Sequence, residues 1–105
     1  SVPYYLEIQR MIGELAAEYA QSGTIIYDLG CSTGTTLINM NATVDPSIPF
    51  TGIDDSPQML EKCRDNLTRA GMTRPFTLVD TDLNKGVEIK NASVVVLCLT
   101  LQFIR

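Results

Sequence analysis

Apolar and polar residues are arranged along the chain in a pattern that predicts four short strands separated by helices. The first predicted helix has an apolar stripe at the i, i+3, i+4 spacing, formed by Ile8, Met11, Ile12, Leu15, Ala16 and Tyr19. The stretch "QSG" should end this helix, with Gly23 as a left-handed cap. The runs "TIIYDLG", "FTGID", "PFTLVD" and "ASVVVLCLTLQF" have strand character. The near-continuous hydrophobicity of "TIIYDLG" is typical of a parallel strand that is covered on both faces.

Two further helices are predicted between these strands. "TTLINMNA" can form a short helix, and "DSPQMLEKCRDNLTRAG" predicts a longer one. In the longer helix Ser56 is a capping residue, Pro57 suits the first position, and Gly71 closes the last turn. Its predicted apolar stripe consists of Met59, Leu60, Cys63 and Leu67. Its cations are expected on a solvated face: Lys62, Arg64 and Arg69.

The alternation of helices and strands predicts an α/β fold. We expect about four parallel strands with flanking helices in a doubly wound, Rossmann-like sheet. The fourth run is the most hydrophobic, which is typical of a strand in mid-sheet, yet here it would lie near an open edge. We therefore interpret residues 1–105 as one partial domain, the N-terminal part of a larger sheet whose C-terminal strands are missing. Alternatively, a second copy of the chain covers this edge, and the protein is a homodimer.

Composition and charge narrow the functional classes. The chain has 105 residues, of which 45% are apolar, so it can bury a core, and its net charge of −4 disfavours direct binding of nucleic acid. Three cysteines without a Cys-x-x-Cys spacing, and no histidine, favour reduced thiols over disulfides or a metal site. No apolar run reaches the ~20 residues of a membrane span, so we expect a cytoplasmic protein without membrane contact.

The first strand runs into "DLGCSTG", a glycine-bearing loop that should open a helix. Ligands of doubly wound sheets bind beyond the carboxyl ends of the strands, at the topological switch point. The candidate ligand-binding residues of this loop are Asp28, Gly30, Cys31, Ser32 and Gly34. A dinucleotide needs glycine near its pyrophosphate, and a carboxylate is a poor neighbour for phosphates. Asp28 instead favours a cationic ligand such as S-adenosyl-L-methionine, which carries an ammonium and a sulfonium group. A tight turn without a ligand is the alternative.

Acidic residues follow the next two strands. Asp54 lies 24 positions after Gly30, near the ~20-residue offset at which an acidic residue meets ribose hydroxyls. An ionised carboxylate accepts two hydrogen bonds and therefore matches a vicinal diol. Helix capping is the alternative role for Asp54 and for its neighbour Asp55. Asp82, which follows the third strand in "DTDL", could reach an adenine.

Several stretches together resemble the carboxy-S-adenosyl-L-methionine synthase family, a branch of the class I S-adenosyl-L-methionine-dependent methyltransferases. They are "SVPYY", "MIGELA", "YDLGCSTG", "IDDSPQMLEKCR" and "NASVVVLCLTLQF", which span nearly the whole chain. The resemblance implies cofactor contacts for Tyr5, Gly30, Cys31, Ser32, Asp54, Asp55, Asp82 and Leu83. Cys98 stands where the family carries a cofactor-contacting Asn, and a thiol is only a weak donor and acceptor. Packing at a helix start is the alternative for Tyr4 and Tyr5.

The resemblance also implies a reaction. In this family a carboxyl group passes from prephenate to the methyl carbon of S-adenosyl-L-methionine, giving phenylpyruvate and carboxy-S-adenosyl-L-methionine for modification of the tRNA wobble uridine. An ordinary methyltransferase acting on tRNA or a small molecule is one alternative, and an inactive cofactor-binding fragment is another. No residue of the chain is an obvious strong base, so the sequence assigns no catalytic residue.

Overall fold

The computed structural model describes residues 3–97, which form a four-stranded parallel sheet with three helices. The elements are α1 (Tyr4–Tyr19), β1 (Ile25–Leu29), α2 (Thr35–Asn41), β2 (Phe50–Asp54), α3 (Pro57–Arg69), β3 (Phe76–Asp80), a 3₁₀ helix (Leu83–Lys85) and β4 (Ala92–Leu97). The strand order is β3-β2-β1-β4, and every pairing is parallel. The predicted α/β fold is confirmed. The part of the fourth run that follows Leu97, including Cys98 and "TLQF", lies outside the described residues.

All three helices pack on one face of the sheet. A single buried cluster joins α1, α2 and α3 to the side chains of Ile26, Phe50, Leu78 and Val96, which share one face of the four strands. The opposite face is only partly covered. There the Tyr27 hydroxyl is buried and donates to the Lys90 carbonyl oxygen (2.9 Å), at the end of the β3–β4 connection.

Two of the predicted apolar stripes differ from the buried faces. In α1 the buried residues are Gln9, Gly13 and Ala16. Three predicted members of that stripe are exposed: Met11, Leu15 and Tyr19. The physical reason is the close approach of α1 to the end of α2, where a Cβ on Gly13 would lie 3.3 Å from Thr43 Oγ1. In α3 the stripe is confirmed except at Met59, which is exposed.

The predicted helix ends are correct for α3 and wrong for α1. Ser56 caps α3, since its Oγ accepts a hydrogen bond from the Met59 amide (3.2 Å). Gly71 follows α3 in the left-handed conformation (φ 79°) that closes such helices. By contrast, α1 ends at Tyr19 with an extended residue after it, and Gly23 belongs to the next turn. The helix stops before the glycine because Ala20 has an extended backbone (φ −65°, ψ 137°), which cannot continue the helical hydrogen bonds.

Arg74 organises the connection between α2 and β2, a role that its sequence position did not indicate. Its side chain is 5% exposed, and the guanidinium carbon lies 4.1 Å from the centroid of the Phe50 ring. The guanidinium donates to four backbone carbonyls, those of Asn41, Val44, Asp45 and Ile48, and to Asn41 Oδ1, at distances of 2.7 to 3.3 Å. One rigid cation therefore pairs with carbonyls at the end of α2 and in the following turns, where only the Asp45 carbonyl has a further donor, the Ile48 amide (3.1 Å).

The apolar edge of the described sheet predicts self-association. β4 is the last strand in the order, Val95 and Leu97 are exposed, and an apolar groove runs between β4 and α1. We expect light scattering to show a mass that rises above the 11.5 kDa of one chain as the concentration increases.

No helix in residues 3–97 has the length and apolar character needed to cross a membrane.

A matched variant makes the prediction of self-association specific. Val95→Lys places a charge on the exposed face of the edge strand, and we expect it to reduce the association, since charged edges resist pairing. A single monomeric species at high concentration for the unaltered chain would contradict the prediction.

Candidate functional site

A cavity of about 490 Å³ opens where β1 and β4 end. Its walls are the first turns of α1, the loop after β1, the start of α2 and the last residues of β4. From β1 the chain builds outward through β2 to β3, and β4 then pairs with the other side of β1. The cavity therefore lies at the topological switch point of the sheet, where ligands of such folds bind. Five predicted residues line it: Tyr5, Asp28, Gly30, Cys31 and Ser32.

Asp28 is the charged group of this cavity. Its side chain is 2% exposed, on the helix-covered face of β1. Burial, reinforced by the nearby carboxylate of Asp54, raises the pKa of Asp28 to about 7. Among the residues that line the cavity it is the only one with an ionisable carboxyl or amino group. A bound cation would relieve the cost of ionising it.

The loop after β1 is held against β2 by backbone hydrogen bonds. Gly30 has a φ of 84°, and the amides of Gly30 and Cys31 both donate to the Ile53 carbonyl oxygen, at 2.7 and 3.0 Å. Ser32 also has a positive φ, of 50°, and its amide donates to Asp54 Oδ2 (2.8 Å). The left-handed conformations turn the loop back across the end of the sheet. The cavity floor is therefore a fixed surface made largely of backbone.

Asp54 holds this loop in place. Besides the bond from Ser32, its Oδ1 accepts a hydrogen bond from the Ser56 amide (3.2 Å) at the start of α3. This geometry supports the local structural role considered for Asp54, whereas its contact with a ribose stays a prediction. Each carboxylate oxygen still has a lone pair for a further donor. Asp55 is exposed, and the cap of α3 comes from Ser56 instead.

Gly34 separates the loop from α3. It has a φ of 93° directly before α2, and a Cβ there would lie 2.9 Å from Cys63 Sγ. The structure thus gives Gly34 a packing role outside the cavity, and its predicted contact with the cofactor stays a prediction. A larger residue at this position would have to push α3 away from the loop.

Cys31 and Cys63 are buried free thiols, as predicted. The Cys31 thiol donates a hydrogen bond to Cys63, and this bond together with burial raises the pKa of the Cys31 thiol above its ordinary value. Cys31 is therefore a protonated thiol at neutral pH and not a nucleophile. Residues 3–97 contain no group of three or more side chains placed to hold a metal ion.

Asp82 and Leu83 lie beyond β3, away from the cavity walls. Asp82 Oδ1 accepts a hydrogen bond from the Asn84 amide (2.9 Å) and caps the 3₁₀ helix, and Leu83 is exposed. The Thr81 amide donates to the Asp54 carbonyl oxygen (2.9 Å), which places this turn next to the end of β2. The predicted adenine contacts would require a ligand that extends from the cavity across the loop.

Among the cavity residues that the sequence did not indicate, Gln9 and Thr36 are joined by a hydrogen bond. Gln9 is 8% exposed, and its amide bonds to two side chains of α2, those of Thr36 and Asn39. Thr36 lines the cavity beside it. A polar residue on the buried side of α1, one turn after Tyr5, was the available signal. The packing interpretation of Tyr4 and Tyr5 is wrong, because both are exposed, and both line the cavity.

Comparison with known proteins assigns the chain to a family. The sequence profile described as a methyltransferase domain matches residues 26–105.

The chain belongs to the methyltransferase domain family.

The predicted resemblance of this methyltransferase domain to carboxy-S-adenosyl-L-methionine synthases is confirmed. The synthase of Methylococcus capsulatus is 46% identical over 106 residues, covering 100% of this chain and 44% of the relative. The synthases of Trichlorobacter lovleyi (46% identity, 99% and 43% coverage) and Escherichia coli O17:K52:H18 (39% identity, 99% and 42% coverage) are similar over the same region. The chain thus spans less than half the length of these relatives.

Solved structures confirm the methyltransferase fold. An RNA methyltransferase from Salinibacter ruber in complex with S-adenosyl-L-homocysteine superposes with a TM-score of 0.72 at 28% identity, covering 91% of this chain and 60% of the other. An O-methyltransferase from Thermotoga maritima gives a TM-score of 0.74 at 18% identity, covering 92% and 36%, and shows the fold alone. The described sheet therefore corresponds to part of a larger Rossmann-like methyltransferase sheet.

Proposed function

We propose that this chain is the S-adenosyl-L-methionine-binding part of a carboxy-S-adenosyl-L-methionine synthase. The observation that carries the proposal is the buried carboxylate of Asp28 in the switch-point cavity, 2% exposed. S-Adenosyl-L-methionine is the cofactor of this domain, and the Salinibacter neighbour was solved with the related S-adenosyl-L-homocysteine. The proposal carries the activity named for the full-length relatives over to this chain.

The residues present fit this cofactor. A volume of about 490 Å³ lies within the usual range of ~300–1,000 Å³ for small-molecule pockets. Asp28 would hold the ammonium group and favour the positive sulfonium, because a buried carboxylate gains most from a cationic partner. Tyr5 is 54% exposed at the cavity mouth and would cover the ligand. Asp54, which already accepts a hydrogen bond from the Ser32 amide of the loop, would accept further hydrogen bonds from the ribose hydroxyls.

The cofactor supplies an activated methyl group, and the chain's own residues bind it, orient it and exclude water. Asp28 is the only charged group among the described residues that line the cavity. An anionic carboxyl donor such as prephenate must therefore draw on the positive charge of the bound cofactor or on residues outside 3–97. We further propose that the product serves modification of the tRNA wobble uridine in the cytoplasm, and that the protein is a homodimer.

An ordinary methyltransferase is the second candidate. Its support is the likeness to the Salinibacter RNA methyltransferase, at 28% identity and a TM-score of 0.72. The net charge of −4 favours a small-molecule acceptor over direct contact of this segment with RNA.

Mass spectrometry of the cofactor separates the two candidates. The complete protein is incubated with S-adenosyl-L-methionine and prephenate, and we expect the cofactor to gain one carboxyl group. The control omits prephenate and should leave the cofactor unchanged. Methylation of an acceptor without any carboxylated cofactor would favour the ordinary methyltransferase. Failure of calorimetry to detect S-adenosyl-L-homocysteine binding at millimolar concentration would argue against both.

A further inference from the structure

A buried amide connects α1 to α2 at the wall of the cavity. Gln9 Nε2 donates to Thr36 Oγ1 (3.1 Å), and Gln9 Oε1 accepts a hydrogen bond from Asn39 Nδ2 (3.0 Å). Gln9 is 8% exposed on a helix whose other buried residues are Gly13 and Ala16. A buried amide without partners is costly, so these two bonds fix the Gln9 side chain.

The direction of these bonds determines what Thr36 can offer to a ligand. A threonine hydroxyl has one donor hydrogen and two acceptor lone pairs. Here Gln9 donates to the oxygen, so the Thr36 hydrogen is directed elsewhere. Among the hydrogen bonds of residues 3–97, none has Thr36 Oγ1 as the donor. Thr36 lines the cavity, so a hydrogen-bond acceptor on a ligand bound there can accept the Thr36 hydrogen.

An amino-acid tail supplies such an acceptor. If Asp28 holds the ammonium group, the carboxylate on the same carbon also lies inside the cavity. That carboxylate is repelled by Asp28, and the described lining offers it no Lys or Arg. Within the described lining, neutral donors such as hydroxyl groups are the groups that can stabilise it.

We propose that Thr36 binds the carboxylate of the ligand's amino-acid tail, with Gln9 as the residue that positions the Thr36 hydroxyl. This inference rests on the proposed function and adds a subsite to it. Thr36 touches the ligand, whereas Gln9 acts through Thr36. The hydrogen bond from Gln9 also polarises the hydroxyl and strengthens it as a donor.

Calorimetry with two ligands tests the proposal. S-Adenosyl-L-homocysteine has the amino-acid tail, and methylthioadenosine lacks it. Thr36→Val keeps the shape and removes the hydroxyl, and we expect it to weaken S-adenosyl-L-homocysteine binding about 10-fold while methylthioadenosine binding stays unchanged. Gln9→Met should weaken the tailed ligand by a smaller factor, with little further loss in a chain that already carries Thr36→Val. Thr68→Val, at an exposed position of α3 away from the cavity, is the matched control and should bind both ligands normally.

The outcomes separate this proposal from the proposed function. If Thr36→Val binds S-adenosyl-L-homocysteine as tightly as the unaltered chain does, the proposed subsite is wrong and the proposed function still stands. Equal weakening for both ligands also overturns it, because the hydroxyl would then act on the fold or on the nucleoside. If the unaltered chain binds neither ligand, the proposed function and the subsite fail together.

Discussion

Replacing Asp28 with Asn is expected to weaken S-adenosyl-L-homocysteine binding by about 10- to 100-fold at pH 8, measured by calorimetry. The change keeps the shape of a buried side chain and removes its charge. Because burial raises the pKa of Asp28 to about 7, the unaltered chain should bind more tightly as the pH rises from 6 to 8. The variant should lack this dependence. Unchanged affinity in the variant would remove the observation on which the proposed function depends.

The same substitution should make the chain more stable at pH 8. Asp28 binds its proton more strongly in the folded state, at a pKa of about 7, than in the unfolded state, at about 3.8. Its contribution therefore destabilises the fold progressively as the pH rises from about 4 to about 7, and it is constant above that. Removing the charge should raise the free energy of unfolding by about 2–4 kcal/mol at pH 8, and by less as the pH falls towards 4.

Urea unfolding across this pH range measures the effect. Asp65→Asn, on the exposed side of α3, is the matched control and should change stability little at any pH. A loss of stability in Asp28→Asn at pH 8 would show that the carboxylate is compensated in the folded state. Functional sites commonly retain a group that binds a ligand even though the group lowers the stability of the fold.

Arg74→Ala is expected to lower the free energy of unfolding by about 3–5 kcal/mol. The truncation leaves three backbone carbonyls and one side-chain oxygen around α2 without a donor, and it removes the cation from the Phe50 ring. The Asp45 carbonyl keeps its bond from the Ile48 amide (3.1 Å). Typical domains have a stability of only ~5–15 kcal/mol, so a measurable part of the chain should unfold at room temperature.

Circular dichroism during urea unfolding checks this result. Arg74→Lys offers three donors from one point and should be intermediate, because it cannot reproduce the planar arrangement. Arg69→Ala removes an arginine from the exposed surface of α3 and should change stability by less than about 0.5 kcal/mol. A decrease of less than about 1 kcal/mol in the free energy of unfolding of Arg74→Ala would contradict the prediction. Water would then replace the guanidinium as the hydrogen-bond donor to these carbonyls.

Local chemistry made much of the fold predictable. Strand runs such as "FTGID" coincide with β2 as the structure has it, and the Ser56 cap and the Gly71 terminus of α3 depend on residues within one or two turns. The loop after β1 was recognisable as a ligand-binding loop because an acidic residue and a glycine at the end of a buried strand are typical of such loops. The parallel alternation was predictable in the same way, whereas the strand order β3-β2-β1-β4 was not predicted and is known from the structure.

Other features depend on residues distant in sequence. The buried side of α1 is set by Gly13 against Thr43, and hydrophobic spacing alone selected Met11, Leu15 and Tyr19 instead. Asp54 was expected at a ribose, and the structure additionally shows it holding Ser32, 22 positions away. Such roles come from contacts that only the folded chain creates.

The amino-acid sequence by itself determined that this chain forms a parallel α/β sheet with a cation-favouring loop after its first strand, because periodicity, caps and glycines act over a few residues. The tertiary structure alone decided which groups meet. It buried Asp28, used Arg74 to satisfy the carbonyls around α2, and joined Gln9 to Thr36 at the cavity wall. The physical reason is that desolvation and hydrogen-bond pairing depend on three-dimensional neighbours, which lie here from 26 to 33 positions apart.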